Sequence, residues 1–493
     1  MSKIVLKTIG LILLIEAAFM LLPVIIAFIY GESDWKYFLL IIAGAAIVGG
    51  LLYLIKPSKR RMHAKEGFII VGLAWLVMSL VGAIPYVLSG LIPNYLNAVF
   101  EAVSGFTTSG VTIIADIEVG SHAILFWRSL THWIGGMGVL VFMLALTPIA
   151  GGASMHIMRA EAPGPTTEKI SPKISQTAKW LYIIYLALTL AEVLALVICK
   201  LDVYKSFLIS FGTLATGGFS PLNSSLASFT YAQQVVVIVF MVLAGCNFAL
   251  FFLVVTGKFR KAITDSELIG YLVTTAVVVI LISLNVYMVR EQFDTFGEAF
   301  HQSCFAAVSA LTSTGFAAYN YNLFPWFSKA LLLMVMFIGG CAGSTAGGIK
   351  VSRWQIMIKA VRRYLRERIH PRSVNVVKFN KKEVEDEVVG GILIYFAIFI
   401  LIYIISMFIV STEKNMDFTT TFSCVATTFN NNGIEIKTVD FGGYFNFHWW
   451  SRVVFIVDML LGRLEIFPIV LLFTWLFTPV RDVYKKIRHK TEY

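Results

Sequence analysis

Residues 308–319 read VSALTSTGFAAY. The core of this stretch, TSTGF (Thr312 to Phe316), is rich in hydroxyls and broken by a glycine, yet it lies between two apolar blocks. YLVTTAVVVILISLNVYMV (271–289) precedes it and is long enough to cross a bilayer; ALLLMVMFIGGCAG (330–343) follows and also reads as membrane sequence. A polar, helix-breaking segment in such surroundings needs a protein environment, because unpaired backbone groups cost several kcal/mol each in hydrocarbon.

The rest of the chain fits that setting. Its 493 residues are 58% hydrophobic and only 14% charged, with a mean hydropathy of +0.79. A soluble protein of this length exposes far more charge. Apolar runs of about 20 residues, each ~30 Å long as a helix, recur throughout. The first, from around Ile9 past Phe28, has no A-x-A-like cleavage site and reads as a retained helix rather than a signal peptide. The expected class is an all-α polytopic membrane protein.

The net charge of +11 has a pattern. Basic residues cluster at 56–65, 159–179, 258–261, 350–382 and in the tail from Arg481. With Lys3 and Lys7 these hold 30 of the 40 Lys and Arg. They follow alternate hydrophobic segments, which is the positive-inside signature and places those loops and both termini in the cytoplasm. No basic face belongs to a soluble domain, so nucleic-acid binding is not expected. The five cysteines (Cys199, Cys246, Cys304, Cys341, Cys424) lie in apolar segments at no metal-like spacing and read as inert core thiols.

The TSTGF pattern recurs. FTTSGVT (106–112), LATGGFS (214–220), LTSTGFA (311–317) and FNNNGIE (429–435) align on Gly110, Gly218, Gly315 and Gly433, spaced 108, 97 and 118 residues apart. Each follows a long apolar helix and a shorter half-hydrophobic segment (about 97–107, 205–215, 298–311 and 417–428), and each precedes a second long apolar helix. An internal repeat settles the organisation before any motif. The expected plan is a leading transmembrane helix pair at 1–62, then four parallel helix–pore-loop–helix repeats at 63–160, 161–262, 263–382 and 383–493. These would surround a single pseudo-fourfold pore. Each unit starts and ends in the cytoplasm, so its middle segment must be a re-entrant hairpin. Short helices descending from outside point their carboxyl ends at the bilayer centre, where the partial negative charge favours a cation. Glycine then permits the backbone conformation that turns carbonyls toward a bare ion. Candidate ion-binding residues are Thr108, Ser109, Gly110 and Val111; Thr216, Gly217, Gly218 and Phe219; Ser313, Thr314, Gly315 and Phe316; and Asn431, Asn432, Gly433 and Ile434. Thr107, Thr312 and Asn430 fit their support. For any one loop the alternative is a Gly-Ser-Thr helix-packing patch; four aligned copies favour the pore.

Further stretches resemble one family: RSLTHWIGGMGVLVF (128–142), LAGCNFALFF (243–252), GGCAGSTAGGIKVSR (339–353) and MLLGRLEIFP (459–468). With the four glycines they resemble the superfamily of potassium transporters that includes TrkH, KtrB and HKT. The resemblance covers nearly the whole chain and is nearest the bacterial TrkH branch, which shares the leading helix pair. It implies a gated, channel-like potassium uptake pore in the bacterial inner membrane, with K+ as the transported ion, and a homodimer. It also implies cytosolic RCK regulatory subunits of the TrkA or KtrA type, which would carry any nucleotide. Some HKT-like members carry Ser at the first filter glycine, and this goes with sodium permeation; here Gly110 is intact. One aligned glycine per loop, against two in the TVGYG strand of tetrameric channels, predicts weaker discrimination against sodium.

Two features mark a gate. GGCAGSTAGG places Gly339, Gly340, Gly343, Gly347 and Gly348 in what otherwise reads as one helix. Glycine costs about 1 kcal/mol relative to Ala in a helix, so the stretch is expected to unwind. The resemblance makes this a flexible loop below the filter that includes Ser344 and Thr345. The alternative is small-xxx-small helix packing through Gly339, Gly343 and Gly347. A Walker A loop fails on spacing, because Lys350 follows Ile349. The second feature is Arg463, near the middle of the apolar run 453–473, where a guanidinium costs at least ~2.5 kcal/mol. The resemblance places it in the pore below the filter, against the gating loop; the alternative is a structural pair with Glu465 or Glu192. Asp458 belongs to a support network whose partner the sequence does not identify. The basic stretch 353–382 suits either anionic lipid or a docked regulator.

Rival classes lack their marks. An alternating-access symporter, coupling potassium to protons or sodium, predicts inverted repeats and two interrupted helices. An intramembrane enzyme needs paired histidine ligands or a GxSxG elbow, and none occurs. His132 reads as a packed or interfacial residue.

Overall fold

A computed structural model describes residues 3–56, 64–138, 174–289, 293–372, 375–414, 416–434, 443–466 and 468–470. The basic run 159–173, Glu435 and the tail from Arg481 lie outside these residues. The regular secondary structure of the described residues is helical apart from one short hairpin, in which β1 (Lys378–Phe379) pairs antiparallel with β2 (Lys382–Glu383).

The leading pair is α1 (Lys3–Phe19) continuing through a break at Met20 into α2 (Leu21–Tyr30), followed by α3 (Trp35–Tyr53). α1 and α3 meet backbone to backbone. A Cβ on Gly10 would lie 2.6 Å from the Gly49 oxygen and 2.7 Å from the Tyr53 nitrogen. No rotamer relieves contact with backbone, so Gly10→Val is expected to destabilise the pair by about 1–3 kcal/mol. A lower melting temperature in detergent checks this; an unchanged melt would mean that the two helices separate without consequence.

Each unit then opens with a long helix: α4 (Ala64–Gly82) with α5 (Ile84–Leu88), α8 (Ile174–Ile198), α13 (Ser266–Val289) and α17 (Asp386–Val410). Six helices among the described residues are long and apolar enough to span a membrane. The four expected short helices follow at their expected places: α6 (Tyr95–Phe106), α9 (Val203–Leu214), α14 (Phe296–Leu311) and α18 (Phe418–Phe429). All four start on a side-chain cap, with Asn94, Asp202, Thr295 and Asp417 accepting from the backbone three residues on. Such caps satisfy one of the free N–H groups at the helix start.

Three of the second helices depart from the expectation of long, continuous rods, and that of the third unit breaks where unwinding is expected. α7 (His122–Gly136) ends at its double glycine. α10 (Tyr231–Ala244) breaks at Gly245–Asn247 and α11 (Phe248–Val255) leaves at 93°. α12 (Phe259–Ile263) then leads to the next unit. α15 (Trp326–Met336) gives way to the glycine-rich stretch before α16 (Val351–Ile369), and α19 (Trp449–Arg463) stops at Arg463 itself. There Glu465 and Ile466 adopt left-handed conformations, with φ of 55° and 67°. Hydropathy misses such breaks because the residues around them stay apolar.

Helix packing closes on itself. α7 lies against α9, α10 against α14, α15 against α18, and α19 against α6. The second helix of each unit thus packs on the short helix of the next, and the fourth returns to the first.

Candidate functional site

The four short helices end alike. In each, the residue two before the aligned glycine is left-handed: Thr108 (φ 55°), Thr216 (53°), Ser313 (57°) and Asn431 (49°). Its N–H bonds three residues back, and the next N–H bonds five back, as in Ser109 to Ser104, Gly217 to Gly212, Thr314 to Ser309 and Asn432 to Thr427. This is the Schellman stop, which usually takes glycine. A β-branched residue in that region is strained, and such strain concentrates at functional sites. Polar side chains mark these residues in the sequence; their left-handed backbone is a property of the fold.

The aligned glycines come together in sequence order and close a ring. A Cβ on Gly110 would lie 1.9 Å from the Gly217 oxygen, one on Gly218 2.1 Å from the Thr314 oxygen, and one on Gly315 2.3 Å from Gly433 Cα. Gly433 in turn lies against Gly110. Gly110, Gly218 and Gly315 have φ of 77°, 79° and 82°, whereas Gly433 is not left-handed. The fourth loop is therefore unequal to the others, which the alignment on glycine does not reveal. Its asparagines tie neighbouring loops instead. Asn431 Nδ2 donates to Ser109 Oγ at 2.6 Å, and Asn432 Nδ2 donates to the Ala310 oxygen at 2.7 Å. Val111, Phe219, Phe316 and Ile434, each just after its glycine, are buried.

The glycine-rich stretch is unwound, as expected, and the helix-packing alternative does not hold. Gly339, Gly343 and Gly348 have positive φ, as does Lys350 at 84°. This segment touches three units. Gly347 N donates to Ser313 Oγ at 2.5 Å, and Gly348 N to the Asn430 oxygen at 3.2 Å. Thr345 Oγ1 donates to the Leu214 oxygen at 2.9 Å, and Cys341 N to the Gly245 oxygen at 2.9 Å. Gly340 sits close to Ala346 and to the Ser344 hydroxyl. Glu267 accepts from Ala342 N at 2.7 Å and from Ser352 N at 3.0 Å, holding the segment near both ends.

Arg463 reaches across to it. Nη1 donates to the Thr345 oxygen at 2.8 Å, and Nη2 to the Gly135 and Gly136 oxygens at 2.6 and 2.5 Å. The guanidinium thus joins the unwound stretch to the end of α7. Glu465, one of the two carboxylates considered for it, forms an ion pair with Arg353. Asp458 accepts from Ser406 Oγ at 2.7 Å, which identifies its partner. His132 is packed, stacking on the Phe219 ring at 3.9 Å.

Several residues at the site escaped the sequence reading. Glu101 and Arg128 form a fully buried ion pair at 2.7 Å beside the first two loops. Glu267 is also buried. Glu101 and Arg128 are charges inside apolar stretches, a signal that by itself marks function. Glu267 stands two residues after Asp265 at the start of a helix and carries no such mark in the sequence; Arg463 stands out because it sits mid-run.

Fold and site together define a polytopic membrane protein organised around a ring of four glycine-containing loops. The family model for TrkH, described as a cation transport protein, matches residues 36–478. The chain is 33% identical over 474 residues to the Trk system potassium uptake protein TrkH of Escherichia coli strain K12, covering 95% of this chain and 97% of the relative. It is also 33% identical over 475 residues to the TrkH of Salmonella typhimurium, with the same coverage. The crystal structure of the potassium transporter TrkH from Vibrio parahaemolyticus superposes with a TM-score of 0.86 at 30% identity, covering 95% of this chain and 98% of that one. The chain belongs to the TrkH family of cation transport proteins, and not to an enzyme class.

Proposed function

We propose that this protein takes up potassium through a gated, channel-like pore. The observation that carries the proposal is the closed ring of four loops, each with a left-handed residue at the carboxyl end of a short helix. The filter would comprise Thr108 to Val111, Thr216 to Phe219, Ser313 to Phe316 and Asn431 to Ile434. Left-handed positions re-aim successive carbonyls, which suits replacement of an ion's hydration shell. The helix ends add partial negative charge. The names of the relatives support potassium as the ion.

The unwound stretch from Gly339 to Gly348, with Arg463, is the proposed gate. Its support is the direct bonding of Gly347 and Gly348 to filter-loop residues Ser313 and Asn430. On this reading the units run 1–62, 63–160, 161–262, 263–382 and 383–493, with both termini cytoplasmic in a bacterial inner membrane. The protein would act as a homodimer with cytosolic RCK-type regulators of the TrkA or KtrA kind. α16 follows the gate directly and exposes Arg362, Arg366 and Arg368 beside Val361, Tyr364 and Leu365. That face suits a docked regulator or anionic lipid. Arg363 is engaged by Asp386 at 2.5 Å.

Purified protein in liposomes tests the function. Flux is expected to follow the potassium gradient alone and to persist without a sodium or proton gradient. A requirement for a second ion gradient would replace the channel with a symporter.

A further inference from the structure

Three of the four loops are pinned in one way, and the second is not. Six residues before the aligned glycines stand Ser104, Gly212, Ser309 and Thr427. The three hydroxyls donate to the backbone oxygen just beyond their own glycine. Ser104 reaches Val111 at 2.6 Å, Ser309 reaches Phe316 at 2.8 Å, and Thr427 reaches Ile434 at 3.0 Å. Gly212 has no side chain to offer. A Cβ there would lie 3.3 Å from the Phe219 oxygen but 2.9 Å from the Phe316 ring, which occupies the space.

The second loop is braced from the first unit instead. The Arg128 guanidinium lies 3.5 Å from the centroid of the Phe219 ring, and Nη1 donates to the Ser220 oxygen at 3.0 Å. Arg128 is itself locked by Glu101, which accepts from its Nε at 2.7 Å. The same carboxylate accepts from Thr112 Oγ1 at 3.0 and 3.1 Å and from Ile113 N at 2.9 Å. One buried ion pair therefore holds the first loop beyond Val111 and the second loop at Phe219 and Ser220. Glu101 is 0% and Arg128 2% exposed. Burial of such a pair costs desolvation and is repaid only by good geometry with further hydrogen bonds, as here. A buried ion pair is weak evidence for stability, because well-packed hydrophobic residues often serve as well; its hydrogen bonds to both loops point to their placement.

We propose that Glu101 and Arg128 are positioning residues for ion selectivity, setting the spacing of the first two loops in place of the hydroxyl hook that Gly212 cannot supply. This rests on the filter reading above. A loop free to relax inward would hold the smaller sodium ion as well as potassium.

The test compares wild type, Arg128→Met, Arg128→Lys, Glu101→Gln and Gly110→Ser in liposomes of one lipid composition. Sodium and potassium fluxes are measured under matched gradients, with gel-filtration elution and thermal melting recorded for each protein. Arg128→Met is expected to raise the sodium-to-potassium flux ratio by about tenfold, the scale of one lost charged hydrogen bond. Lysine restores part of the ratio, because it keeps the charge against Glu101 but not the planar fork. Glu101→Gln shifts the ratio in the same direction. Should Arg128→Met fail to fold, the lysine and glutamine variants carry the comparison. If folded variants keep the wild-type ratio while Gly110→Ser shifts it, the positioning role is overturned. Proportional loss of both fluxes at an unchanged ratio also overturns it. If Gly110→Ser too keeps the wild-type ratio, the filter reading itself falls.

Discussion

Gly110→Ser is expected to cut potassium flux by about tenfold or more and to raise the sodium-to-potassium flux ratio. Two costs combine. The φ of Gly110 is 77°, a region that costs an ordinary residue roughly 1–2 kcal/mol. The new Cβ would also lie 1.9 Å from the Gly217 oxygen and 3.0 Å from its carbonyl carbon. Both are backbone atoms of the neighbouring loop, so turning a side chain relieves nothing. One of the two loops must move, and each roughly 1.4 kcal/mol of lost preference is a factor of ten. The same geometry ranks the four positions. Gly218→Ala and Gly315→Ala should be about as damaging, with overlaps at 2.1 and 2.3 Å. Gly433→Ala should be milder, because Gly433 is not left-handed and its nearest contact, Gly315 Cα, lies at 3.1 Å. Ion fluxes of the purified variants decide the matter. An unchanged ratio for Gly110→Ser removes Gly110 from the filter, and equal losses at all four glycines refute the ranking.

Arg463→Ala is expected to raise flux in the absence of any regulator by about tenfold. Arg463 supplies three charge-assisted hydrogen bonds to carbonyls, one on the unwound stretch at Thr345 and two on α7 at Gly135 and Gly136. A hydrogen bond to a charged group contributes about 1.5–3 kcal/mol, so losing only the Thr345 bond shifts a closed–open equilibrium by that order. Removing a positive charge from the proposed cation path acts in the same direction. Arg463→Lys should fall between, since an ammonium cannot fork across Gly135 and Thr345 together. Single-channel or vesicle flux, recorded with and without a regulator of the proposed RCK type, provides the check. Identical flux and identical regulation in Arg463→Ala would remove the residue from both pore and gate.

Much of the architecture was legible from the sequence because it depends on local chemistry. The places of α6, α9, α14 and α18 followed from composition and repeat spacing, and their caps at Asn94, Asp202, Thr295 and Asp417 act within one helical turn. Unwinding at Gly339–Gly348 was readable for the same reason, since five glycines weaken a helix wherever it sits. The breaks after Ala244 and at Arg463 were not. Their residues are apolar on both sides, and hydropathy cannot separate a straight rod from one bent by 93°. Arg463 is legible as an expensive charge, but its partners are carbonyls 118 and 327–328 residues away in the chain.

The sequence by itself determined the class, the four loops and the glycine in each, because burial in a membrane and backbone freedom are properties of short segments. Only the tertiary structure decided how the loops differ in backbone and in bracing. Gly433 is not left-handed, Gly212 leaves the second loop without a hydroxyl hook, and Arg128 with Glu101 braces that loop from another unit. These differences arise where backbones from distant segments meet within van der Waals distance. What a glycine or a buried charge does there depends on the neighbour it faces.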